Sequence, residues 1–107
     1  MTGPEFHELL MTKWGRSYDV QLRRTQGKIF AQIMWKFWGQ ASYSRSQEEH
    51  IAHLEEVGQY IKALGAADRF RTSVMNAKGR PRIGKAISIA LHVDLGDRAS
   101  EWMLDPP

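Results

Sequence analysis

Residues 79–85, GRPRIGK, spell G-x-x-x-x-G-K, the opening of a loop whose backbone N–H groups cradle phosphate ahead of a helix. The chemistry does not carry through. Ala86 stands where a Ser or Thr hydroxyl would hold magnesium, and Pro81 has no N–H to offer. The periodicity around the segment also runs helix, loop, strand, the reverse of what a phosphate site at a helix N-terminus needs. Nucleotide hydrolysis is therefore set aside. His50 and His53 stand three apart, a spacing at which two imidazoles on one helix face share a metal. By helical geometry His50 falls inside an apolar stripe and His53 at its edge, beside Tyr60 rather than a carboxylate. No third ligand is placed by spacing, so both read as packed histidines, and no metal or cofactor is expected. His7 and His92 are isolated. Ser, His and Asp all occur, but in no spacing that sets nucleophile, base and orienter together. Glu48, Glu49, Glu55 and Glu56 read as a solvated helix face, not as carboxylates in an apolar setting that raises a pKa. No catalytic residue is assigned, and a non-enzymatic role is expected.

What remains is charge and aromatic surface. Lys78, Arg80, Arg82 and Lys85 carry no acid among them, and Arg69 and Arg71 precede them. Arg23, Arg24 and Lys28 flank a second position, and Arg16 lies just upstream. If these clusters meet in space, they form an anion-binding surface for phosphate, nucleic acid or an acidic protein. If they do not, they are solvated cations at loop ends. No aromatics are interleaved with them in the way a single-strand binder requires. Trp14, Trp35, Trp38 and Trp102 read mainly as core or edge plugs. Trp38 and Phe30 fall on the face of a hairpin opposite its core side, where an uncovered aromatic patch would mark a partner site. The candidate partner-binding residues are Arg16, Arg23, Arg24, Lys28, Trp38, Arg80, Arg82 and Lys85. The expected role is an accessory or assembly factor that binds a protein, with an RNA-binding module using the same arginines as the alternative.

The element that positions these residues is a hairpin over 17–38. Tyr18, Val20 and Leu22 alternate with Asp19, Gln21 and Arg23; Ile29, Ala31, Ile33, Trp35 and Phe37 alternate with Lys28, Phe30, Gln32, Met34 and Lys36. Period two predicts two antiparallel strands, and Thr25-Gln26-Gly27 predicts the turn, with Gly supplying a positive φ. Two strands alone are marginal in water, so other elements must cover the apolar face. Thr2 and Glu5 form a capping box ahead of Phe6, Leu9, Leu10 and Trp14, predicting a helix from Gly3 to Trp14 that Gly15 ends. Ser46 and Glu49 form a second box ahead of Ile51, Leu54, Val57, Ile61 and Leu64, with Gly65 as the stop. A further helix restarts at Ala66-Ala67-Asp68, carries Phe70, Val74 and Ala77 inward, and stops at Gly79. Residues 83–93 alternate again, with Ile87, Ile89, Leu91 and Val93 on one side, which predicts a third strand able to join either edge. A short helix from Asp97 through Leu104, with Trp102 inward, and a frayed tail 105–107 complete the order α-β-β-α-α-β-α. The class is α+β, helices packed on a small, mainly antiparallel sheet.

At 107 residues the chain is expected to be one domain, 1–107, and no linker, repeat or low-complexity stretch divides it. Its 42% hydrophobic and 25% charged residues place it among soluble globular proteins. Nothing approaches about 18 consecutive apolar residues, which excludes a spanning helix. MTGPEFHELL has neither the basic-then-apolar order of a secretory signal nor the arginines of a transit peptide. With no cysteine there are no disulfides, thiolates or Cys-based metal sites. A net charge of +3 is too small an excess to imply nucleic acid unless it is gathered into a patch.

Three segments carry a resemblance: KWGRSYDVQLRR at 13–24, RPRIGKAISI at 80–89 and LGDRASEWML at 95–104. Together they resemble a small family of cyanobacterial and plastid proteins classed as a domain of unknown function. The resemblance covers nearly the whole chain. It implies a compact α+β fold of unusual topology and a cytosolic or stromal setting in an oxygenic phototroph. It implies no reaction, since it brings no catalytic residues with it. A role near the photosynthetic or plastid machinery is an expectation from distribution alone.

Overall fold

The computed structural model describes residues 1–91. The strand end at Val93, His92, the helix from Asp97 through Leu104 with Trp102, and the tail 105–107 lie outside the described residues. Helix α1 spans Gly3–Trp14, β1 Tyr18–Thr25, β2 Lys28–Phe37, α2 Gln47–Ala63, α3 Ala67–Asn76 and β3 Ile87–Ala90. The described order is α-β-β-α-α-β, an α+β domain with three helices on a three-stranded antiparallel sheet of order β1-β2-β3. Of the two edges open to it, β3 joins β2, pairing Phe30 with Ala90 and Ile33 with Ile87.

Both predicted capping boxes form. Thr2 and Ser46 each accept the backbone N–H three residues on, and Glu5 and Glu49 reach back to the cap N–H groups at 3.0 and 2.9 Å. Two of the four orphan donors are satisfied at each helix start. Helix α3 has no side-chain cap and ends at Asn76, short of Gly79, because Ala77 turns extended.

Phe6, Leu10 and Trp14 of α1, Leu54, Val57 and Ile61 of α2, and Phe70 and Val74 of α3 are buried against Tyr18, Val20, Ala31, Ile33 and Ile89 of the sheet. Phe6 meets Phe70 edge-on at 5.3 Å. Trp14, Tyr18 and Phe37 form a ladder of edge-on rings with centroids 5.9 Å apart at each step. Such T-shaped pairs set the positive ring edge against the negative face and add to simple burial.

Three expectations are corrected. Tyr18 pairs with Phe37 but Val20 with Ile33, so the single residue Asp19 of β1 opposes Met34, Trp35 and Lys36 of β2. This bulge breaks the alternation, and Trp35, expected beside Ile33 and Phe37, is half-buried outside the core cluster. Asp19, expected on the solvent face, is only 7% exposed. The third strand does not begin at Ile83. Arg82 and Lys85 exchange backbone hydrogen bonds of 3.0 and 2.7 Å around a tight turn, with Gly84 at φ 79°. A positive φ at the third turn position is what a type II turn asks of glycine, and it leaves Ile83 at the tip, 86% exposed.

Candidate functional site

The polar interior is built around His50, which has no solvent exposure. Arg45 Nη1 donates to Tyr43 Oη at 3.2 Å, and an arginine can only donate. We assign the Tyr43 hydroxyl proton to His50 Nδ1, 2.8 Å away, a tautomer in which every member of the relay has a partner. His50 keeps its own proton on Nε2 and donates it to Ser17 Oγ at 2.7 Å. Ser17 in turn donates to His7 Nδ1 at 2.8 Å. The result is a relay from the loop after β2 through α2 and the residue before β1 to α1. Desolvation pushes His50 down to about 4, against the pull of Asp19, so the relay holds a neutral imidazole.

Asp19 closes the other side. It accepts from Arg45 at 2.9 Å and lies 3.4 Å from His53 Nε2, which also donates to the Val20 carbonyl at 2.7 Å. This corrects the placement of His53 beside Tyr60: its neighbour is a carboxylate. The hydrogen bond to Asp19 holds His53 above its ordinary 6.5, outweighing desolvation. Burial by itself would raise Asp19, but the His53 hydrogen bond and the Arg45 charge bring it below its ordinary value. Both ring nitrogens of His50 and Nε2 of His53 are engaged in these hydrogen bonds. Among the described residues no group of three or more His, Asp or Glu is arranged to hold a metal ion. Ser17 sits next to an imidazole, as a nucleophile would, but is 2% exposed. The open depressions of about 300 Å³ along α3 and about 400 Å³ along α2 are lined by neither Ser17 nor His50.

The cations form two groups at opposite ends of the sheet. Arg23, Arg24 and Lys28 surround the turn between β1 and β2, all exposed, with Arg23 Nε held by Gln32 Oε1 at 3.1 Å. Arg16 and Trp38 lie at the open end, where β1 begins and β2 finishes. The Arg16 guanidinium sits 4.4 Å from the centre of the Phe37 ring, and the Trp38 N–H donates to the Ser17 carbonyl at 3.0 Å. Because β3 enters beside Ile33 and runs toward the turn, the segment that precedes it projects at the open end too. That segment carries Arg80, Arg82 and Lys85, all exposed. At roughly 3.3 Å per residue, the six steps from Tyr18 to Arg24 put about 20 Å between the groups. The structure thus brings Arg16, Trp38, Arg80, Arg82 and Lys85 to one end and leaves Arg23, Arg24 and Lys28 at the other.

Sequence reading missed the apolar half of the open end. Met11 (40% exposed) and Met75 (45%) occupy the last turns of α1 and α3, joined by a 2.8 Å bond from Lys13 Nζ to the Met75 carbonyl. With Ile83 and Trp38 they make four of the five exposed large hydrophobic side chains among the described residues. Trp14 Nε1 donates to the Gly79 carbonyl at 2.8 Å and pins the Ile83 turn to α1. The signal for Ile83 was present: Gly84 follows it and Pro81 precedes it, which are turn residues rather than strand residues.

No described helix is long and apolar enough to cross a membrane. No curated protein matches the chain. Among solved structures it is similar to the solution NMR structure of the Alr2454 protein from Nostoc sp. strain PCC 7120, a cyanobacterium. The two are 53% identical, with 96% of this chain and 97% of that one covered and a TM-score of 0.84. Residues 4–103 match the family model described as Domain of unknown function (DUF3067). On that match, which takes in the segments 13–24 and 80–89 and all but the last residue of 95–104, the chain belongs to the DUF3067 family.

Proposed function

We propose that this protein is a non-catalytic accessory or assembly factor that docks a protein partner with the open end of its sheet. One observation carries the reading: Ile83, almost fully exposed, stands at the tip of a turn that is locked on both sides and flanked by Arg80, Arg82 and Lys85. A single exposed apolar residue is ordinary. An isoleucine held out by reciprocal backbone bonds, a buried Pro81 and an anchoring tryptophan is preorganised, which lowers the entropy cost of burying it in a partner. Met11, Met75 and Trp38 supply adaptable apolar area nearby, and the cations favour an acidic partner. The cyanobacterial source of the relative supports a setting in an oxygenic phototroph.

A tagged pull-down from a phototroph lysate tests this, run with and without nuclease and at two salt concentrations. The expected result is a specific protein that survives nuclease and moderate salt. Its recovery falls at least about tenfold for Ile83→Asp but is unchanged for Arg23→Glu/Arg24→Glu, whose charges lie at the far end. Recovery of RNA, with binding that falls steeply as salt rises, would overturn the reading in favour of phosphate contacts.

A further inference from the structure

The loop 39–46 between β2 and α2 is tied to the rest of the molecule in an unusual way. Its backbone bonds are local: Gln40 N–H donates to the Phe37 carbonyl at 3.1 Å and Tyr43 N–H to the Gln40 carbonyl at 2.9 Å. Gln40 Oε1 accepts from the Phe37 N–H at 3.4 Å and Ser46 caps the start of α2, so both bind only the loop's own flanks, and the longer-range ties run through Tyr43 and Arg45. Tyr43 reaches His50 of α2, by hydrogen bond and by an edge-on ring contact at 5.4 Å, and Arg45 reaches Asp19 of β1. We infer that this loop is a latch, held closed by the neutral imidazole of His50 and released when that imidazole takes up a proton.

The inference rests on donor and acceptor matching. In the neutral state each link has one donor and one acceptor, and no buried side-chain polar atom among the described residues lacks a partner. A proton on His50 Nδ1 would face the Tyr43 oxygen, which already accepts from Arg45, and would turn the Tyr43 hydroxyl away to Asp19, a carboxylate already engaged by Arg45 and His53. The second nitrogen offers no relief, since it already donates to Ser17. The charge has poor company as well. Arg45 from the loop and His53 from α2 are the cationic groups facing it, the His7 ring from α1 lies beyond Ser17, and Asp19 from β1 is the carboxylate that the cations would share. A buried charge without a matched partner is the costly case, and the cheapest escape is for the loop to swing out and admit water. Burial holds His50 low enough that the latch is closed at neutral pH. Trp38, one residue before the loop, is bonded to the carbonyl of Ser17, itself a member of the relay. On the docking reading, the latch therefore also sets the position of Trp38.

Amide hydrogen exchange of the intact protein from pH 7 to pH 4, corrected for intrinsic exchange, tests the latch without any partner. The Tyr43 amide should lose about tenfold in protection toward pH 4 while the amides of α1 and β2 keep theirs. His50→Gln, which keeps a donor and an acceptor but cannot take the proton, should abolish that loss. Tyr43→Phe should open the loop at pH 7. Protection of the loop that persists at pH 4, or that is lost only together with the whole fold, overturns the proposal. So does loss in His50→Gln at the same pH as in the parent. None of these outcomes depends on whether a partner docks at the open end.

Discussion

His50 and His53 lie one turn apart on α2 and are pushed in opposite directions by what each touches. His50 is depressed to about 4, so between its unfolded value near 6.5 and 4 the unfolded chain binds the extra proton. Stability therefore falls as pH drops through that window, by about 3 kcal/mol at roughly 1.4 kcal/mol per pH unit. His53 is raised by Asp19. Its contribution is fully present below 6.5 and is lost as pH rises through its higher folded value. Asp19, held below its ordinary 3.8, adds a loss only at still lower pH. Urea unfolding across pH 4 to 9 should show a stability maximum near neutrality. His50→Gln should flatten the acid limb and His53→Gln the alkaline limb. An alkaline limb that survives His53→Gln would show that the Asp19 contact does not couple to folding. The spacing of these histidines was legible in the sequence, and so was the place of His50 in the apolar stripe. Their partners were not, because Ser17, Asp19 and Tyr43 come from elements that meet α2 only in the folded chain.

Elements meet where side chains permit it, and two positions decide how closely. Gly3 in the first turn of α1 presses on the middle of α2: a Cβ there would run into the Ile51 carbonyl oxygen and stand 2.8 Å from Ile51 Cγ2. The Gly3 N–H also donates to Glu55 Oε1 at 3.1 Å. Gly3→Ala should therefore destabilise by about 1–3 kcal/mol, although alanine is the better helix former by nearly 1 kcal/mol. A melting temperature unchanged or raised in Gly3→Ala would mean that α1 shifts freely on α2. The hairpin turn carries the opposite opportunity. Gln26 takes φ 52° and Gly27 φ 77°, the pair of positive angles that a two-residue type I′ turn requires. The sequence placed the turn and assigned the positive φ to glycine, but glutamine also bears it. Gln26→Asn should stabilise by about 0.5 kcal/mol in chemical denaturation, since asparagine tolerates the left-handed region better. A loss of stability would show that the Gln26 side chain makes up for its backbone.

At the scale of the whole molecule, local chemistry was readable from the chain and convergence was not. Both capping boxes, the period-two runs and the glycine stops each depend on residues within about four positions of one another, and they placed five of the six described elements closely. The sixth, β3, came out shorter because a four-residue turn intervened where alternation suggested strand. The bulge was equally invisible, for it is a property of two strands in register and not of either alone. Charge shows the same division. The sequence by itself determined which residues are cationic and that no cysteine chemistry is available. Only the tertiary structure decided that Arg80, Arg82 and Lys85 share an end with Arg16 and Trp38, whereas Arg23, Arg24 and Lys28 stand a strand's length away. It also decided that Ile83 belongs to the surface and Asp19 to the interior. The physical reason is common to all of these. Capping and alternation are settled by near neighbours along the chain, but the faces that meet, and the polar groups that must then satisfy one another, are set by how the helices and strands pack.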